Sequence, residues 1–241
     1  MKKVLIFSLA YMPYFVSGAE GAIEHITNRI KPEDVEFHMV TLLFGAAPRR
    51  ERIGNVIVHR VGFGGGYISK IFFVPLAALK GVALHREHHF DAIWTMMTYM
   101  LFPAVFMKFM GARVPHIVTL QDGDSYEKVF ERWYIRPVVP ILDYGFRTAS
   151  LVQAISVFLA GWPAKRGYKG EVVLIYNGVH PRDMHGDVTE TDLLSLKVKL
   201  AKKPGDIFLI NTSRLVYQKG IDAIVRALPM LPDTVKLVLN K

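Results

Sequence analysis

Arg214 and Lys219 stand five residues apart in "NTSRLVYQKGIDAIVRALPML" (211–231), between an apolar run and a helical pattern. Arginine brings a planar fork of donors and lysine a compact charge, a pair suited to holding a diphosphate. Gly220, at the expected start of the helix, would keep backbone N–H groups open to the same anion. Without that chemistry, the two are exposed cations on a connector. A second candidate is "SLAYMPYFVSGAEGAIEH" (8–25), which passes through Pro13, Ser17 and Gly18 into a helix near Ala19. Gly18 would let a phosphate approach the backbone closely, or simply permit a tight turn.

Such loops work only if strands and helices hold them. Strand-length apolar runs occur at Val4–Leu9, Val35–Leu42, Val56–Val61, Ala92–Thr95, His116–Leu120, Leu151–Ile155, Val172–Tyr176, Ile207–Thr212 and Val235–Leu239. Several are almost unbroken Val, Ile, Leu and Phe, the pattern of strands covered on both faces. Helical patterns lie between them. Ala22, Ile23, Ile26 and Ile30 form one apolar stripe ended by Lys31-Pro32, and Ile68–Arg86 (distorted at Pro75) and Tyr99–Met110 are two further helices. The alternation predicts an α/β chain with a mainly parallel sheet and right-handed crossovers. Ligands of such sheets bind beyond the carboxyl ends of the strands, where both candidate loops lie.

The chain has 241 residues, 51% hydrophobic and 21% charged. It has no cysteine, which excludes disulfides and cysteine-ligated metals. Its net charge of +9 favours anionic partners. "PRRER" (Pro48–Arg52) reads as solvated loop. "MKKVLIFSLAYMPYF" has the basic start of a signal peptide, but Ser8 and Pro13 interrupt it and no cleavage site follows, so a buried first strand is expected. The most apolar segment, Met96–Met107, falls short of the about 20 residues of a membrane span. The polar stretch 177–192 reads as an interdomain linker, giving a domain over 1–180, a linker over 181–192 and a second segment over 193–241.

"TSRLVYQKGIDAIVRAL" resembles the "GRL-x-x-x-KG-x-D" signature that opens the donor domain of retaining GT-B glycosyltransferases of the family 4 (group 1) type. "SGAEGAIEHITNRI" is similar to that family's "GGAE" loop and helix, and "LVQAISVFLAGWPAKRGYKGEVVLIYNGVHP" to the run leading into its linker. The resemblance covers the whole chain. It implies a GT-B fold: a Rossmann-like acceptor-side domain followed by the start of a second, donor-binding one. It also implies transfer of a sugar from a nucleotide-diphosphate donor to a glycan or lipid-linked acceptor with retention. No metal or other cofactor is implied: Arg214 and Lys219 would neutralise the leaving diphosphate, and Gly18 would approach the donor phosphates. A cytoplasmic enzyme of polysaccharide biosynthesis is expected.

Departures from the pattern locate further candidates. Where many relatives carry a histidine, in "VTLQDGDS", this chain has Gln121, an acceptor-side candidate. The neighbouring Asp122 and Asp124 could bind acceptor hydroxyls or carry a proton, although "DGD" also suits a plain turn. Ser213 and Ser17 replace two of the family's glycines without removing a charge, and Asn177-Gly178 matches a hinge-proximal "NG". The family's paired-glutamate motif lies beyond Lys241, which predicts weak activity for this chain alone. The alternative is a non-catalytic acceptor-binding subunit completed by a partner. No RRM, helix-turn-helix or zinc-finger pattern supports nucleic-acid binding.

Two features stand outside this reading. His85, His88 and His89 share a helix face at zinc-like spacing, but with no HExxH pattern and no fourth ligand they read as a solvated helix end. "VGFGGGYISK" fails GxGxxG at Tyr67 and reads as a flexible loop opening a helix beside the acceptor cleft. Apolar helices with Lys70, Lys80, Lys108 and Arg113 nearby suit peripheral contact with the anionic inner face of a membrane, unless Met96–Met110 is core.

Overall fold

The computed structural model describes residues 1–14, 17–64, 66–179, 188–213 and 215–239, with the side chains of 66, 67 and 218 left aside. Two compact units divide the chain, Met1–Gly178 and Val179–Lys241.

The first unit is built on eight strands: β1 (Lys2–Phe7), β2 (Val35–Leu42), β3 (Arg50–Ile53), β4 (Val56–Val61), β5 (Ala92–Met96), β6 (His116–Leu120), β7 (Leu151–Ala154) and β8 (Val172–Leu174). Their order is β3-β4-β2-β1-β5-β6-β7-β8, all parallel except β3 against β4. From β1 the chain winds outward through β2 to one edge, then returns to β5 on β1's other side. The β1/β5 boundary is therefore the switch point of a doubly wound sheet.

β1 is apolar on both faces because both are covered. Leu5 and Phe7 pack beneath α2 (Gly66–His88) and α3 (Leu101–Phe109), whereas Ile6 packs with Ile23 of α1 (Gly18–Thr27). A Cβ on Gly81 would lie 2.8 Å from Phe7 Cζ, so the glycine sets how closely α2 approaches the sheet. A third cluster joins β6 and β7 to α5 (Val139–Arg147) and to the fully buried Trp162.

Two expectations change. "PRRER" is not all loop: β3 pairs Arg50 with His59 and Arg52 with Ile57, and Glu51 makes an ion pair with the buried Arg60. Charged side chains suit an edge strand, and they hide its β pattern. The first helix stops at Thr27 rather than reaching Ile30, and beyond it the carbonyls of Thr27 and Ile30 accept from Asn55 Nδ2 at 3.2 and 2.8 Å. Among the described residues one helix, Ile68–His88, is long and apolar enough to cross a membrane, but Phe73, Ala77, Ala78, Val82 and Leu84 bury one of its faces in the core. Met96–Met110 is largely core strand and helix, with Leu101, Ala104, Val105 and Met107 buried and Phe109 and Met110 exposed at its end.

His116, at the start of β6, is buried, with Nε2 2.9 Å from the Gly145 carbonyl. Burial, and then the Lys108 charge, pull its pKa from 6.5 to about 4. The folded state keeps this imidazole neutral, so the unfolded chain binds the extra proton between those values. Its contribution is complete above pH 6.5 and is lost at about 1.4 kcal/mol per pH unit on acidification toward pH 4. Urea unfolding at pH 7 and pH 5 should show a loss of about 2 kcal/mol from this group. His116→Asn should remove that increment, and parallel losses in both proteins would assign it elsewhere.

The second unit contains α8 (Glu190–Lys199), β9 (Ile207–Asn211), α9 (Ile221–Ala227) and β10 (Val235–Leu239), following the short α4 (Tyr126–Phe130), α6 (Val157–Ala160) and α7 (Trp162–Lys165) of the first. β9 and β10 pair in parallel, as a strand–helix–strand crossover requires. Thr189 caps α8 with a reciprocal bond to Asp192. Residues 180–187, within the expected linker, lie outside the described residues.

Candidate functional site

Parallel strands β1, β5 and β6 end side by side, and the loops leaving them gather the chemistry. After β1 the chain reaches Ser17, the N-cap of α1. The Ser17 hydroxyl donates to the Glu20 carboxylate instead of capping the helix, so among the described residues the first-turn N–H groups from Gly18 on have no side-chain cap. After β5, Met97 takes φ +72°. That conformation costs a non-glycine residue on the order of 1–3 kcal/mol. Met97 N–H donates to the Thr119 carbonyl at 2.9 Å, and the turn aims Thr98 at the loop after β6.

That loop begins with Gln121 and Asp122. Thr98 N–H lies 3.2 Å from both Asp122 carboxylate oxygens, and Thr98 Oγ1 donates to Oδ2 at 3.0 Å. Burial raises the Asp122 pKa to about 6 against the opposing pull of these bonds. The carboxyl is thus poised to change protonation near neutral pH. Gln121 is buried beside it, and its Oε1 has no hydrogen-bond partner among the described residues. A buried polar atom without a partner calls for a ligand or water. A Cβ added to Gly18 would lie 3.3 Å from Gln121 Nε2, so the structure places Gly18, Gln121 and Asp122 together at the switch point. Asp124 lies further along, 3.9 Å from Lys128 Nζ and next to the Ser125 cap of α4.

Two supporting features are absent from the sequence reading. Thr98 is one. The other is a chain of bonds from side chains of β5, β6 and β7 to the backbone just after β8: Trp94 Nε1 donates to Thr119 Oγ1 at 2.8 Å, Thr119 Oγ1 to Gln153 Oε1 at 2.8 Å, and Gln153 Nε2 to the Ile175 carbonyl at 3.1 Å. It ties the ends of β5 to β8 beneath a cavity of about 310 Å³ lined by Gly18, His25, Arg29, Gln153, Asn177 and Gly178 among others. The only sequence signal for it was a polar residue at an inward strand position.

In the second unit, Lys219 ends a 3-10 turn (Tyr217–Lys219) and is exposed. Gly220 follows at φ +62° and precedes α9, a conformation that favours glycine. Ser213 N–H and Oγ both donate to Asn211 Oδ1, at 3.0 and 2.7 Å. Arg214 lies outside the described residues.

The family model for Glycosyltransferase Family 4 matches residues 16–183. No curated protein matches the chain significantly. Among solved structures, sucrose-phosphate synthase from Thermosynechococcus elongatus aligns with TM-score 0.75 at 14% identity, over 99% of this chain and 62% of that one. Anabaena HepE, in complex with UDP and glucose, aligns with TM-score 0.70 at 23% identity, over 99% and 60%. Trehalose-6-phosphate synthase from Burkholderia multivorans aligns with TM-score 0.62 at 17% identity, over 99% and 63%. The chain thus spans less than two thirds of the length of these proteins, and the likeness shows the GT-B fold. With its match over most of the first unit and this sheet topology, the chain belongs to glycosyltransferase family 4.

Proposed function

We propose that this chain serves transfer of a sugar, with retention, from a nucleotide-diphosphate donor to a glycan or lipid-linked acceptor. The observation that carries the reading is the meeting of Gly18, Gln121, whose Oε1 has no partner among the described residues, and the pKa-raised Asp122 at the ends of β1 and β6. The donor class is supported by HepE, a fold neighbour solved with UDP and glucose. On this reading the α1 N-terminus at Gly18 approaches the donor phosphates. Gln121 and Asp124 contact the acceptor, and Asp122 takes the proton from the acceptor hydroxyl. As the new glycosidic bond forms, the bond from the anomeric carbon to the diphosphate breaks. Arg214 and Lys219 neutralise the departing charge, a task a metal performs in other transferases.

The acceptor reading is favoured toward lipid by a groove of about 590 Å³, lined by Leu9, Ile71, Phe73, Tyr99, Phe102 and Ile141 among others, with Lys70 on its wall. Ile68, Ile71, Phe72 and Leu79 are exposed on the outer face of α2. An apolar stripe with lysines beside it suits peripheral contact with the cytoplasmic face of an anionic membrane.

Gly18→Val tests the site. The new side chain enters the space beside Gln121, and displacement of the donor by about 1 Å should cost on the order of 10²-fold in transfer rate. Circular dichroism and the unfolding midpoint should stay near wild type. Unchanged transfer by a folded variant would remove Gly18 from the donor site.

A further inference from the structure

Glu36 and His38 are two residues apart on β2, so their side chains leave the same face of the sheet. The C-terminal end of α2 brings His88 to that face, with its ring centroid 4.2 Å from that of His38. His38 Nε2 is 3.0 Å from Glu36 Oε1, and one ligand atom from each of the three residues lies within 4.8 Å of the others. The His38 side chain is 1% exposed, against 24% for Glu36 and 19% for His88. The group therefore has a buried floor and a rim open to water.

We propose that Glu36, His38 and His88 form a binding site for a divalent metal of the zinc class, which pins the end of α2 to β2. Two imidazoles and a carboxylate with an open position for water are a donor set these ions prefer. Bonds of about 2.0–2.1 Å in tetrahedral geometry put ligand atoms roughly 3.3 Å apart. The Glu36–His38 pair stands close to that spacing already, and His88, at a helix end, closes the third side by turning its ring.

His59, on neighbouring β4, supplies the outer support such a site needs. Its Nε2 is 3.1 Å from His38 Nδ1, with the ring centroids 5.3 Å apart and the ring planes 12° from parallel. With the metal on His38 Nε2, the His38 proton resides on Nδ1 and is donated to His59 Nε2. This bond fixes both the tautomer and the direction of the ligand ring. Phe90 meets His38 edge-on at 5.3 Å and forms an apolar wall.

The surrounding charges set the strength of binding. Lys3 Nζ is 3.9 Å from the same Glu36 oxygen, and the charges of Arg50 and Lys80 also act on this histidine group. These cations oppose a dication and weaken its binding, whereas Glu87 Oε1, 3.5 Å from His88 Nε2, favours it. The spacing of His85, His88 and His89 along α2 is misleading here. His85 Nδ1 accepts from Phe90 N–H at 3.1 Å, and His89 leaves the helix at φ +56°, so His88 alone of the three joins the group.

The test is titration of the metal-stripped, folded chain with zinc chloride by calorimetry, and with cobalt(II) by visible absorption. One ion should bind per chain, with a cobalt spectrum of low coordination number. His88→Ala, at a partly exposed position, and His38→Gln should each weaken binding at least about tenfold, and His59→Gln by about 10–100-fold. Lys3→Ala should strengthen it, and His85→Ala and His89→Ala should leave it unchanged. No uptake by the folded chain, binding indifferent to His88→Ala, or binding lost with His85 or His89 instead would each overturn the assignment.

Discussion

Asp122→Asn is expected to lower sugar transfer by roughly 10²–10⁴-fold, the usual contribution of a positioned general base. It should also abolish a rise of rate through pH 6. Burial lifts this carboxyl from 3.8 to about 6, so a base that works only when ionised gains activity as pH rises through that value and levels off above it. Thr98→Val refines the test. It removes the Oγ1 hydrogen bond that favours the carboxylate, so the inflection should move to higher pH. Stability should respond in the opposite sense to activity. A carboxyl whose folded pKa is raised contributes stability below pH 3.8 that is lost as pH rises through 6, so ionised Asp122 costs stability at pH 7. The neutral asparagine should leave the protein at least as stable there. If Asp122 were only a tether between the loops after β5 and β6, both variants would lose stability and keep the pH profile of the wild type.

The sequence made the scaffold readable because a sheet covered on both sides needs unbroken apolar strands. The runs around Leu5, Met39, Trp94 and Val118 could hardly be anything else. It made Gly18 and the "QDGDS" loop readable as candidates, since both follow such strands. Their adjacency was not readable, because it depends on the return of the chain from β4 to β5 across the switch point. Thr98 carried no local signal at all: its role exists only because the backbone at Met97 turns it toward a carboxylate on the next loop. β3 failed for a different reason. An edge strand satisfies water on its outer side with charge, and "RER" therefore looks like loop. The histidines of α2 show the same limit. Their spacing along the helix pointed at one another, whereas the partners of His88 come from a strand far away in sequence.

Replacing Arg214 and Lys219 by alanine should each reduce kcat by about 10²–10³-fold in any form of the protein that turns over a nucleotide sugar, the cost of losing one preorganised donor to developing charge. The effect should fall mainly on kcat. The diphosphate gains negative charge as the bond to the anomeric carbon breaks, so a cation beside it is worth more in the transition state than in the bound donor. Arg214→Lys should recover little activity, because a point charge does not replace a planar fork across two phosphate oxygens. Lys219 lends itself to a clean measurement. It is exposed at the end of a 3-10 turn, and the helix behind it is set by the backbone of Gly220 at φ +62° rather than by the lysine side chain. Lys219→Ala should therefore leave the unfolding midpoint within the small range expected of surface substitutions. Full kcat in Arg214→Ala plus Lys219→Ala would mean that the two cations are a solvated connector, and that the diphosphate is neutralised by other groups.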